Sequence, residues 1–310
     1  MTGSSRPHLA IVGPTASGKS ALAYALAAAR PDVEIVSADA MAVYRGMDVG
    51  TAKPSPAERA AVPHHLLDIA VPSEDYSVAR FQADCADAVA AIEGRGRTAV
   101  LVGGTGLYVT AAVDGLAVPG RWPDVAAELE ATGETRGLHA RLAVLDPVAA
   151  ARMEPSNRRR VIRALEVTLG SGRPFSSFGP GVAAHPETPW VLIGLAASSD
   201  ALADRITRRF ESMLAHGFVD EVARLAALGD GWSRTARQAV GYRELAEYVE
   251  GRASLEAATT AGVAATRRLA RRQRAWYRRD PRVRWIDAEQ QMVGVIEQVG
   301  PDLDRCRLSS

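Results

Sequence analysis

The chain has 310 residues, 47% of them apolar and 24% charged, with a net charge of +1. This is the composition of an ordinary soluble globular protein, and no stretch approaches 18 uninterrupted apolar residues, which argues against a transmembrane helix. Two distant cysteines, Cys85 and Cys306, can build neither a disulfide framework nor a zinc site, so a reducing cytoplasm is expected.

His8 to Val12 is an apolar run that flows into a Gly-rich turn and reads as a first strand, not as a signal peptide. Gly13, Pro14, Thr15, Ala16, Ser17, Gly18, Lys19 and Ser20 spell GPTASGKS, which matches G-x-x-x-x-G-K-[ST]. An Ala/Leu-rich helix follows from Ser20 to Ala29. In that strand–loop–helix setting, backbone N–H groups and the helix N-terminus cradle phosphate. Lys19 neutralises its charge, and the Ser20 hydroxyl is placed to ligate Mg²⁺. Lysine is otherwise nearly absent: among 37 lysines and arginines, only Lys19 and Lys53 are lysine.

Val33 to Val36 is a second strand, and Asp39 stands just past its end, where open α/β sheets place ligands. A carboxylate there can hold a metal or take a proton; a helix N-cap is the plainer alternative. Lys53, farther along the same segment, faces either phosphate or solvent. His65 to Ile69 reads as a short third strand, and Ser77 to Glu93 as a helix with Ser77 at its cap. Thr98 to Val102 is a further strand that ends in GGTG, with no acidic residue of the kind an NTPase uses to hold Mg²⁺. The alternation implies a parallel sheet with helices on both faces, the α/β class of phosphate-loop proteins.

From Trp122 to Pro189 the strand-like runs vanish and helical segments alternate with Pro and Gly breakers. We read 122–189 as a helical insertion within a core made of 1–121 and 190–310. Within it, Arg158, Arg159, Arg160 and Arg163 flank Val161, Ile162, Leu165 and Val167, so one face of this helix is core and the other is free for nucleic acid. Trp190 to Leu195 resumes the sheet. Helices are expected near Asp200–Ala215, Val219–Leu228 and Leu255–Arg279, then a last strand near Val283–Ile286. An arginine run from Arg267 to Arg282, a phosphate-contacting pattern, covers the end of the Leu255–Arg279 helix and the residues just after it, while Trp276 and Tyr277 read as core.

GPTASGKS, SADAMAVYRGMDVGTAKP (Ser37–Pro54), PHHLLDI (Pro63–Ile69), YSVARF (Tyr76–Phe81), GGTGLY (Gly103–Tyr108), NRRRVIRALEV (Asn157–Val167) and QAVGYRE (Gln238–Glu244) occur in this order. The series resembles the bacterial tRNA dimethylallyltransferases over nearly the whole chain. The resemblance implies transfer of a dimethylallyl group from dimethylallyl diphosphate to N6 of the adenosine 3′ of the anticodon (position 37), in tRNAs reading codons that begin with U. It also implies Mg²⁺, the tRNA anticodon stem-loop as partner, no membrane and no obligate protein partner. Asp39 is then the base, Arg209 stabilises the leaving diphosphate, and Thr105 contacts the target nucleotide. Asp39, Ala40, Met41 and Ala42, with Arg159, Arg160, Arg163, Gln238 and Gly241, are implied to meet the tRNA. Many relatives carry Ser and Gln where this chain has Ala40 and Ala42. A small-molecule kinase and an RNA-binding ATPase switch are the competing readings of the same loop.

Overall fold

The computed structural model describes residues 7–229 and 231–308. Among these, six parallel strands form one sheet in the order β3-β2-β4-β1-β5-β6: β1 is His8–Val12, β2 Val33–Ser37, β3 His64–His65, β4 Thr98–Gly103, β5 Trp190–Ala196 and β6 Arg284–Asp287. Because strand side chains alternate, β1 divides its residues between two cores. Leu9 and Ile11 pack with Leu22, Leu26, Val295, Val299 and Leu303, whereas Ala10 and Val12 join Phe81, Tyr108, Phe210 and Tyr277 on the other face. Both faces are therefore covered by helices, as continuous apolar strands require.

The expected third strand stops early. Leu66 (φ 62°) and Asp68 (φ 57°) leave the extended region, so only His64 and His65 pair with β2. This turn aims the Asp68 carboxylate at Lys53 and Arg59, at 2.5 and 2.6 Å. Ser77 caps the Val78–Gly94 helix as expected, its hydroxyl accepting the Arg80 N–H. Four helices escape the sequence reading among the described residues: Pro56–Ala61, Gly106–Asp114, Arg234–Arg237 and Met292–Leu308. The last places Val295, Val299 and Leu303 on one core-facing stripe. Pro301 and two glycines in its span weaken the helical pattern.

The chain divides into two compact units, one running through Asp114 and resuming at His185, the other Gly115–Ala184. The second unit is helical: Pro123–Ala131, Thr135–Leu145, Pro147–Ala151 and Arg158–Ser171 enclose Leu129, Leu142, Val161 and Leu165. Trp122 lies inside it, its backbone N–H donating to Glu166 at 2.8 Å.

Candidate active site

The loops after β1, β2 and β4 meet at the carboxyl edge of the sheet, where the strand order reverses beside β1 and ligands are expected. The loop between β1 and the Lys19–Ala28 helix begins at Gly13 (φ 138°), where a Cβ would come within 2.8 Å of the Leu195 carbonyl oxygen, so only glycine fits. Ala16 (φ 63°) and Gly18 (φ 93°) are left-handed, which turns the backbone around the loop's interior. The Ser17 hydroxyl is buried with no hydrogen-bond partner among the described residues. An unmet buried hydroxyl is costly unless a ligand oxygen engages it.

Lys19 is buried and donates to the Pro14 carbonyl at 2.6 Å. Burial, with the Arg209 charge second, holds its pKa down to about 7, while Asp39 opposes the shift. Arg209, on the Ser199–Ala215 helix, reaches the Thr15 hydroxyl at 3.5 Å. Burial weakens the hold of this guanidinium on its proton, and Asp39 offsets part of that. The two cations thus compete for one carboxylate and are held in readiness for more negative charge. Such a pair of buried cations is suited to an anionic group.

Asp39 follows β2. Its Oδ1 accepts the Met41 and Ala42 N–H groups at 2.8 and 3.3 Å, which closes a turn; no helix starts here, so Asp39 is not a helix cap, and its second oxygen makes neither bond. Its charge also reaches Tyr108 and Tyr277, whose hydroxyls are held above their ordinary range chiefly by burial. The Thr105 hydroxyl accepts the Ala40 N–H at 3.2 Å, which ties the GGTG loop to the loop after β2. Phosphate loop, cations, carboxylate and Thr105 are therefore one constellation.

Other expected residues take other places. Lys53 faces neither phosphate nor solvent: its side chain is 1% exposed and its ammonium donates to the Tyr44 carbonyl, Asp48 and Asp68. Arg163 is committed inside its own unit, to Glu166 and to the Pro119 and Gly120 carbonyls. Arg159 and Arg160 are exposed on that helix. Gly241 (φ 90°) is buried and its N–H is taken by Glu244 at 2.8 Å, whereas Gln238 is exposed. In the arginine run, Arg282 pairs with Asp114 and Asp280. Trp276 and Tyr277 turn inward, onto Thr110 and the Gly103 carbonyl.

Sequence reasoning missed Glu221. Its buried carboxylate accepts the Asp48, Val49 and Gly50 N–H groups at 2.8, 2.8 and 3.1 Å, and the Tyr242 hydroxyl at 2.6 Å. It organises the segment downstream of Asp39 from 171 to 173 positions away in sequence. Glu221→Gln replaces an acceptor with an NH₂ that faces donors. A loss of about 2–4 kcal/mol is expected, measured as the denaturant midpoint; an unchanged midpoint would count against this role.

Residues 42–280 match the family described as IPP transferase. The chain is 49% identical over 295 residues to the tRNA dimethylallyltransferase of Kineococcus radiotolerans, covering 91% of each. It is 48% identical over 281 residues to that of Streptomyces coelicolor, covering 90% of this chain and 89% of the relative. The solved tRNA isopentenylpyrophosphate transferase of Bacillus halodurans superposes with a TM-score of 0.72 at 39% identity, over 97% of both chains. With the family match running through most of the sequence and relatives near half identical end to end, this chain belongs to the IPP transferase family, that of the bacterial tRNA dimethylallyltransferases.

Proposed function

We propose that this chain transfers the dimethylallyl group of dimethylallyl diphosphate to N6 of the adenosine 3′ of the anticodon (position 37) in tRNAs reading codons that begin with U, releasing diphosphate. The observation that carries the reading is the convergence of Lys19, Arg209 and Asp39 on the phosphate loop, with charges that sense one another.

The adenine amine is a weak nucleophile because its lone pair is delocalised into the ring. As N6 attacks the allylic C1, the bond from C1 to the diphosphate oxygen breaks and the amine proton passes to the Asp39 carboxylate. Lys19, Arg209 and the loop amides stabilise charge collecting on the diphosphate. The donor set suits Mg²⁺: the Ser20 hydroxyl would supply a hard oxygen ligand, while the free Asp39 oxygen is kept for the proton. No cluster of three or more His, Cys, Asp or Glu side chains among the described residues could hold a metal alone, so most ligands would come from diphosphate and water. When bound, the ion would neutralise leaving-group charge. Arg159, Arg160 and Gln238 meet the anticodon stem-loop, whose target base must be extruded to reach Asp39. Among the described residues no helix is long and apolar enough to cross a membrane. We assign the reaction to the cytoplasm, where tRNA is.

One feature favours an ATP-using alternative: a cleft of about 310 Å³ beside the loop, lined by Ala16, Ser17, Gly18, Leu195 and Arg205 among others. Mass analysis of nucleosides from unmodified tRNA, incubated with the protein, Mg²⁺ and dimethylallyl diphosphate without ATP, decides. Dimethylallyl-adenosine supports the transferase. No product, with phosphoryl transfer in a parallel tube containing ATP, would restore the kinase.

The depressed pKa of Lys19 gives a pH signature. A bound diphosphate raises that pKa, so binding takes up a proton above pH 7. As far as Lys19 is concerned, affinity is flat below about 7 and falls as pH rises through the window up to the bound-state pKa. Calorimetry at pH 8 in buffers of different ionisation enthalpy should show greater proton uptake for wild type than for Lys19→Arg, in which the ligand's own titration cancels. Equal uptake would contradict the assignment.

A further inference from the structure

The phosphate loop is held from outside by a residue that no motif marks. Gln273 Oε1 accepts the Thr15 N–H at 2.7 Å, across 258 positions of sequence. Gln273 sits on the Leu255–Tyr277 helix, with Trp276 and Tyr277 on the same face at i+3 and i+4. That face closes over the GGTG loop. A Cβ on Gly104 would lie 2.4 Å from Gln273 Nε2, one on Gly106 2.5 Å from Trp276 Cδ1, and the Tyr277 hydroxyl donates to the Gly103 carbonyl. The Trp276 ring thus requires Gly106 to be small, whereas a side chain on Gly104 would displace the Gln273 amide. Thr15 is gripped at two points, its N–H by Gln273 and its hydroxyl by Arg209. The acceptor oxygen is the atom through which the side chain meets the loop. The remaining faces of the helix expose Arg268, Arg271 and Arg272 beside it.

We propose that Gln273 is a positioning residue for the transfer reaction: it fixes Thr15, and through Thr15 the contact to Arg209, in the arrangement that stabilises the departing diphosphate. The proposal rests on the reading of the loop as a diphosphate site. Since Gln273 occupies the Thr15 N–H, diphosphate is bound by the other donors of the loop. Gln273 then governs the transition state more than ground-state affinity.

Two variants separate these quantities. Gln273→Met keeps the volume and removes the acceptor; kcat should fall about 10- to 100-fold, as for a misplaced catalytic contact, with KM for dimethylallyl diphosphate within about threefold. Gln273→Glu keeps an acceptor for the Thr15 N–H but sets a negative charge beside the ligand. KM should rise about tenfold or more while kcat stays within about threefold. Parallel losses of kcat and thermal midpoint in both variants would mean a packing role and overturn the proposal, as would an unchanged kcat in Gln273→Met. If the methionine variant melts below the assay temperature, the glutamate variant decides alone, and a collapsed kcat there overturns the idea. Lys19→Ala is the control for the underlying reading. If it and Gln273→Glu both leave diphosphate affinity at the wild-type value, the loop is no diphosphate site; if only the Gln273 variants behave as wild type, this proposal alone fails.

Discussion

Asp39→Asn is expected to lower the rate of prenyl transfer about 10²- to 10⁴-fold, the usual contribution of a positioned general base. Asparagine is the informative replacement because Asp39 has two tasks. Its Oδ1 holds the Met41 and Ala42 amides, and the amide oxygen of asparagine can continue to accept both. What disappears is the ability to receive the amine proton. Affinities for tRNA and dimethylallyl diphosphate should therefore stay within about threefold, since a lost base acts on the transition state. Asp39→Ala would also remove the turn's hydrogen bonds to the Met41 and Ala42 amides, about 1 kcal/mol, and blur the result. Single-turnover kinetics at saturating substrates are the measurement, and a variant that retains more than about a tenth of the wild-type rate would remove Asp39 from the mechanism.

The second large effect is at Lys19, where affinity and stability should move in opposite directions. Loss of a charge-assisted hydrogen bond to the ligand is worth about 1.5–3 kcal/mol, so Lys19→Met should weaken diphosphate binding roughly 10- to 100-fold. The same change should raise the thermal midpoint of the ligand-free protein. The folded pKa of about 7 lies below the ordinary value of 10.5, so unfolding takes up protons between those pH values. The ligand-free protein is thus destabilised by Lys19 at and below pH 7 and recovers as pH rises toward 10.5. The gain from Lys19→Met should accordingly be largest near neutrality and fade in alkali. Titration calorimetry with diphosphate and thermal melts at pH 7 and pH 9.5 test both limbs. Unchanged affinity would mean that the loop serves another ligand, and a lower midpoint would mean that the buried ammonium is not a burden.

Some features are legible in the sequence because their information is local. The phosphate loop needs an apolar strand, a run of eight residues and a helix, and all three are contiguous from His8 to Ala28. Asp39 was found by the same logic, one turn past β2. The family resemblance carried the identification of Arg209 and Thr105, which no local pattern would have singled out, and the structure brings both to the loops in question. Lys53 shows the opposite case. Its rarity as a lysine drew attention to it, but its partners Asp48 and Asp68 reveal a buried anchor rather than a ligand contact. Arg163 likewise read as one arginine among several, and only its contacts to Glu166 and two carbonyls set it apart from Arg159 and Arg160.

By itself, then, the amino-acid sequence determined the βα alternation, the phosphate loop, the helical character of the insertion and the family, because periodicity, turn chemistry and motif strings are written over a few consecutive residues. The strand order, the early end of β3, the grip of Glu221 on the segment after Asp39 and that of Gln273 on Thr15 were decided only in three dimensions. These features depend on partners brought together across as many as 258 positions of chain. Such pairings are selected by which faces pack in the assembled core, and no local window of sequence carries that information.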